Sequence, residues 1–280
     1  MYQLGLSILL VFTLKLSGQA PKLEHEIGIG AGFANYYGDL NTQFGIDAVR
    51  PAATVFWRGN YGYRFCLKTS LSYMQLAADD ANSASDFQKQ RNLSFHSTVT
   101  DVQAQVEFNF LKYVKNVYYN EMGSPFTPYL SFGAGVLFFN PKTYFKGQEY
   151  ALQPLGTEGQ TDQSYTQQGK YHLYALSINY GCGIKFHVKR NISLGLDFRI
   201  HRTMTDYLDD VSGKYISAIN LPEADKGIAY QLFDRSKELG PAIGSPGRQR
   251  GSMNGNDDFA NLFLTISWTF FSPACPGERY

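Results

Sequence analysis

The sequence predicts an all-β fold, an eight-stranded antiparallel transmembrane β-barrel of the outer-membrane type with long extracellular loops. Three observations predict it. Apolar and polar residues alternate with a period of two in eight segments, several of them longer than the ~9–11 residues a tilted membrane-spanning strand needs. Aromatics are 15% of the chain, with 20 Tyr and 21 Phe beside 27 Gly, a composition that favours strands. The connections also alternate between long and short. An even number of strands closes without an edge, which a sheet crossing lipid requires.

The 280 residues suit one domain of barrel size, and the net charge of +1 gives no electrostatic case for nucleic acid or an acidic substrate. Residues 1–20 carry an apolar run from Leu4 to Leu16 and end in Ser17-Gly18-Gln19-Ala20. They read as a secretory signal peptide without a positive n-region, the barrel occupying 21–271 and a periplasmic tail 272–280. No later segment has about 18 unbroken apolar residues, so no helical span is expected.

In the first strand, Glu26–Tyr37, Ile27, Ile29, Ala31 and Phe33 alternate with Glu26 and the glycines Gly28, Gly30 and Gly32. A phosphate-binding glycine loop would need a helix to follow; glycines on the inner face of a narrow barrel fit better. The second strand spans Pro51–Arg58 with its turn at Gly59-Asn60, and the third runs to about Leu76. The fourth covers Ser94–Leu111 and the fifth Tyr129–Phe139. A hairpin from His172 to Thr203, turning at Lys189-Arg190-Asn191, supplies strands six and seven. The eighth is Phe259–Phe271. The connections 38–50, 77–93, 140–171 and 205–258 are expected to be loops, all at one end of the barrel. That end is expected to be extracellular, with both termini in the periplasm. Trp57, Tyr61, Tyr63, Phe186, Trp268, Phe270 and Phe271 near the other end resemble an interfacial girdle. A soluble lipocalin-like barrel would share the alternation but has less reason for one-sided loops.

Alternation alone does not say which face points outward. With the apolar face out, the lumen receives Glu26, Asp101, Glu107 and Asp197 together with Arg64, Lys68, Lys185 and Arg199. Four acids and four bases in so narrow a barrel are expected to pair as a plug, since buried charges need partners. An ion-selective pore would favour rings of one sign.

No catalytic constellation emerges, and no cofactor or metal is called for. His187 and His201 are expected to face the lumen as hydrogen-bonded packing rather than as metal ligands. The pairs Asp79-Asp80, Asp209-Asp210 and Asp257-Asp258 lack the spacing of a calcium loop and are expected to be solvated loop charge. Parity places Cys66 in the lumen and Cys182 toward lipid, out of reach of each other.

Four loop segments carry a family resemblance: Asn35-Tyr36-Tyr37-Gly38-Asp39-Leu40-Asn41, Arg91-Asn92-Leu93-Ser94-Phe95, Leu152 to Gln160, and Thr205-Asp206-Tyr207-Leu208-Asp209-Asp210-Val211-Ser212. In this order they resemble the PorG-like outer-membrane β-barrel proteins associated with type IX secretion. The resemblance implies a non-enzymatic barrel in the Gram-negative outer membrane, with lipid around it and a periplasmic ring of PorK and PorN type as partner. The partner-facing candidates are Lys112, Tyr113 and Lys115 after the fourth strand, and Cys275 in the tail, which could form an intermolecular disulfide. The alternative is a small pore or surface-binding barrel unrelated to secretion.

Overall fold

The computed structural model describes residues 23–42, 48–113, 123–160, 169–189, 191–217, 226–252 and 255–271. The leader and the C-terminal tail expected from the sequence lie outside these residues. Eight long strands build the wall: β1 (Leu23–Tyr37), β2 (Val49–Tyr61), β3 (Phe65–Asp79), β4 (Ser94–Asn109), β5 (Phe126–Phe138), β8 (Tyr174–Lys189), β9 (Ile192–Thr203) and β10 (Asp258–Phe271). The sheet order β3-β2-β1-β10-β9-β8-β5-β4 closes through β3–β4 pairing, and every pairing is antiparallel. This is a closed eight-stranded antiparallel barrel.

The apolar face points outward. Phe132 and Leu264 are 64% and 66% exposed, whereas Glu26, Lys68, Asp101, Glu107 and Arg199 on the opposite face are 0% exposed. An outer wall of Ile, Leu, Val and Phe around a polar interior is stable in hydrocarbon, not in water. At the turn end, Tyr61, Tyr63, Phe186, Trp268 and Phe270 are exposed, while Trp57 is half-buried and its ring stacks on His25 at 5.5 Å. The inward position of the β1 glycines has a steric reason. A Cβ on Gly28 would come within 2.3 Å of the Phe56 ring, and one on Gly32 within 1.8 Å of the Leu262 carbonyl oxygen.

The structure departs from the sequence reading at the strand ends and in the loops. β2 continues past Gly59-Asn60 to Tyr61, and the turn falls at Gly62–Arg64, where Gly62 takes φ +69°. The loop expected over 140–171 contains a second hairpin, β6 (Pro141–Phe145) and β7 (Gln148–Ala151), which extends β4 through His96↔Lys142, and a single turn of helix, α2 (Leu152–Leu155). A six-residue helix, α1 (Asp86–Arg91), follows β3, and α3 (Lys226–Phe233) lies between β9 and β10. β6, β7, α2 and α3 pack on one apolar cluster, whereas α1 is held through its buried polar residues Gln88 and Arg91. The floor of the cluster is made by inward residues at the strand tops, Met74, Leu76, Val99, Leu137, Phe259 and Phe263, and its roof by Leu93, Phe145, Leu152, Leu155, Leu208 and Leu232. The interior therefore changes character along its axis, charged toward the turn end and apolar toward the loop end.

Candidate functional site

The lumen holds one ionic network built from six strands. Glu107 on β4 meets Arg58 at 2.8 Å, Lys185 at 2.5 Å and Lys68 at 3.7 Å. Arg58 also binds Glu26 at 2.8 Å, and Lys68 pairs with Asp197, which lies 3.4 Å from Arg199. Asp101 stands apart, beside Gln103 and 3.5 Å from His201. Gln103 in turn accepts from Arg199 at 3.1 Å.

Of the eight charges expected in the lumen, seven are inside and Arg64 is not. Arg64 is exposed in the β2–β3 turn and donates to the Phe110 carbonyl at 2.9 Å. Parity put it on the inner face, but the wall ends before it. The fourth base is Arg58, at the β2 position where the sequence reading ended the strand. The balance stays at four acids (Glu26, Asp101, Glu107, Asp197) and four bases (Arg58, Lys68, Lys185, Arg199), all at most 4% exposed. These side chains are packed against one another and their neighbours rather than lining open solvent.

His187 and His201 are not brought together. His201 pairs in register with Asn179 and stacks on Phe259 at 4.2 Å, whereas His187 pairs with Ser193 near the turn end. Among the described residues no group of His, Cys, Asp and Glu has the arrangement of a metal site. Cys66 is buried in the lumen and Cys182 is exposed on the outer wall, both as free thiols.

At the loop end the four segments that carried the resemblance converge, although they lie far apart in sequence. The Tyr36 hydroxyl sits 2.6 Å from Asp209 Oδ2 and 2.5 Å from Asp257 Oδ1. Arg91 forks onto both oxygens of Asp80 at 2.7 Å, donates to the Asp39 carbonyl at 2.9 Å and also reaches the Arg250 carbonyl. Arg250 binds Glu158 at 2.7 Å and the Asp210 carbonyl at 2.8 Å. Asp210 accepts from Thr157 at 2.5 Å and from Tyr171 at 2.7 Å. The Asp39 carboxylate accepts the Ser252 amide at 2.9 Å.

The expectation of solvated acidic pairs is thus corrected for four of the six residues: Asp80, Asp209, Asp210 and Asp257 are buried, while Asp79 is exposed and Asp258 half-buried. Each acid binds side chains or backbone amides, Asp80 within its own connection, Asp209 and Asp257 to Tyr36 of β1 and to their own connection, and Asp210 across to Thr157 and Tyr171, which offsets the loss of water. Burial pushes the Asp210 carboxyl up to about 6 and that of Asp206 up to about 7. Burial raises Asp209 and Asp257 further, each helped by neighbouring carboxylates. Spacing in sequence gave no sign of this cap; the concentration of acids in the resemblance segments was the available signal.

The partner-facing candidates fare differently. Lys112 is exposed and its ammonium lies 4.4 Å from the Tyr63 ring centroid. Tyr113 is buried, its hydroxyl donating to Ser193 at 3.1 Å, so it closes the turn-end mouth rather than facing outward. Lys115 and Cys275 lie outside the described residues.

Among solved structures, the chain is similar to the attachment invasion locus protein Ail of Yersinia pestis, determined in complex with the heparin analogue sucrose octasulfate. Identity is 12% over 89% of this chain and 99% of that one, with a TM-score of 0.42. Neisserial surface protein A matches at 12% identity over 88% and 97% of the two chains (TM-score 0.40), and OprG from Pseudomonas aeruginosa at 8% over 90% and 97% (TM-score 0.36). These are likenesses of overall barrel shape alone. No curated protein matches the sequence. Residues 5–220, most of the chain, match the family described as a domain of unknown function, DUF6089. The chain belongs to the DUF6089 family.

Proposed function

We propose that the protein is a non-conducting, non-enzymatic barrel of the Gram-negative outer membrane that anchors a periplasmic ring of PorK and PorN type as part of type IX secretion. The observation that carries the non-conducting part is the lumen: eight charged side chains, each at most 4% exposed, fill the barrel interior. Charge-balanced packing stabilises a wall but leaves no pathway. The anchoring role rests on the resemblance of the four loop segments to PorG-like proteins. In this reading the loop end faces outside and both termini face the periplasm, in line with the concentration of long connections at one end. Exposed Arg64 and Lys112 at the turn rim, with Lys115 and Cys275, are then the surface offered to the ring.

Three measurements test this. Purified barrel in planar bilayers should give no steps above leak, and steady single-channel currents would overturn the closed lumen. Gentle detergent extraction should co-purify the ring proteins; barrel recovered without them would overturn the anchoring. Non-reducing electrophoresis of cell envelopes should show a high-mass band holding barrel and PorK-type lipoprotein, absent after Cys275→Ser.

The alternative of a surface-binding barrel is favoured by one feature, the folded cap. Loops tied together by buried ion pairs present a fixed outer surface, as ligand recognition requires. A barrel that leaves ring proteins behind yet binds an external ligand would support that reading.

A further inference from the structure

We propose that the loop cap is latched by one titratable proton shared among Tyr36, Asp209 and Asp257, so that the cap is closed in acid and at neutrality and loosens on the alkaline side. The geometry carries this. A phenol has one hydrogen, yet the Tyr36 oxygen makes two short contacts, 2.6 Å to Asp209 and 2.5 Å to Asp257. The phenol proton occupies one of them. The other brings two oxygens together with no hydrogen between them unless a carboxyl supplies it. One of the two aspartates is therefore held as the neutral acid, donating to the phenol oxygen while the other accepts. Like carboxylates confined to one site cannot both ionise cheaply.

The surroundings enforce the arrangement. Asp209 also accepts the Val211 amide, and Asp257 the Leu208 amide, each at 2.9 Å, so both carboxyls are fixed to the same stretch of loop. A Cβ on Gly38 would lie 1.9 Å from Asp257 Oδ1 and 2.0 Å from the Tyr36 oxygen, which leaves no room for an intervening water. The charges acting on the pair are Asp39 from the β1–β2 connection, Asp206 from the β9–β10 connection and Arg91 from α1. Arg91 is already committed to Asp80. Arg250, the other buried cation of the cap, is bound to Glu158. Loss of the proton to bulk water thus leaves two buried anions near two more, with both cations engaged, and the cap relieves this by opening.

The sign follows from linkage. Both carboxyls are raised above their unfolded value of ~3.9, so their contribution is complete below that value and declines as pH rises toward the folded one. When the closed state holds one proton more than the open state, the opening equilibrium rises about tenfold per pH unit.

The amides of Leu208 and Val211, bonded to the two carboxyls, are the reporters. Their hydrogen exchange is measured on the full-length barrel in lipid nanodiscs between pH 8 and 9.5 and divided by the intrinsic rate at each pH. In this window Asp210 and Asp206, raised to about 6 and about 7, have already lost their protons in the folded state. Protection should fall with rising pH in the parent, by up to about tenfold per pH unit. It should be flat in Asp209→Asn or Asp257→Asn, where an amide donates in place of the acid proton, and steep as in the parent in Asp206→Asn. Barrel integrity in each variant is checked by heat-dependent electrophoretic mobility. Flat protection in the parent, or an equally steep fall in both Asn variants, overturns the latch. If one Asn variant does not fold, the other decides.

Discussion

Glu107→Leu is the most informative single change, because Glu107 is where the lumen network is most densely joined. Its carboxylate serves Arg58, Lys185 and Lys68 at 2.8, 2.5 and 3.7 Å with no exposed surface. The three cations differ in what they would keep. Arg58 retains Glu26 at 2.8 Å and Lys68 retains Asp197. Lys185 keeps Asn109 at 3.1 Å and the Cys66 sulfur at 3.7 Å, with no carboxylate among these contacts. The cost therefore concentrates on one buried ammonium. Breaking a buried pair by removing one partner costs about 3–5 kcal/mol. For a urea dependence of about 2 kcal/mol per molar, the unfolding midpoint should fall by about 2 M. The assay is reversible urea unfolding in lipid vesicles, followed by tryptophan fluorescence. Adding Lys185→Met removes the stranded charge and should restore at least half of the loss, since apolar replacement of a whole buried pair is often close to neutral. An unchanged midpoint in the single variant would refute the buried network. A double variant as unstable as the sum of the singles would refute the assignment of the cost to Lys185.

Three further outcomes are expected. Gly38→Ala should open the cap and leave the barrel intact, raising subtilisin cleavage between Thr205 and Asp257 without changing heat-dependent mobility; unaltered protease resistance would mean the close approach to Asp257 is easily relieved. An epitope inserted at Gly247, in an exposed turn of the β9–β10 connection, should be reached by antibody on intact cells, whereas one after Tyr280 should need permeabilised cells; the reverse pattern would invert the orientation. A water-soluble maleimide should spare Cys66 in the folded protein and modify it once the barrel is unfolded in urea, and rapid labelling of Cys66 in the folded protein would show that water reaches the lumen.

The wall was legible in the sequence because its rule is local. A period of two fixes which side chains share a face whatever the distant contacts are, and closure by an even number of strands then orients that face. Strand ends were not legible, since β2 gains its last residues by pairing with β1 and β3, as in Asn60↔Glu24 and Asn60↔Cys66. For that reason parity in the sequence points Arg64, not Arg58, into the lumen. The cap was hidden for a stronger reason. Tyr36 and Asp257 are 221 positions apart, and a buried aspartate in a loop looks like a solvated one until its partner is in place. Likewise β6 and β7 are too short to show alternation against the noise of a polar loop. Lys115 and Cys275 remain expectations from the resemblance.

The pins of the cap sit near the roots of the loops, and this separates what can change from what cannot. Asp39, Asp80, Asp209, Asp210 and Asp257 are each tied within a few residues of a strand or to a partner that is. Beyond them, the Lys146-Gly147 turn and the exposed stretch around Leu239 and Gly240 project without buried ionic ties. Extra residues inserted there lengthen a loop whose ends are already fixed, and the entropic cost of loop length grows only slowly. The loop tips can therefore diversify in length and sequence while their foundations hold still. In this family, variability should be greatest at those tips and fall away abruptly at the buried acids.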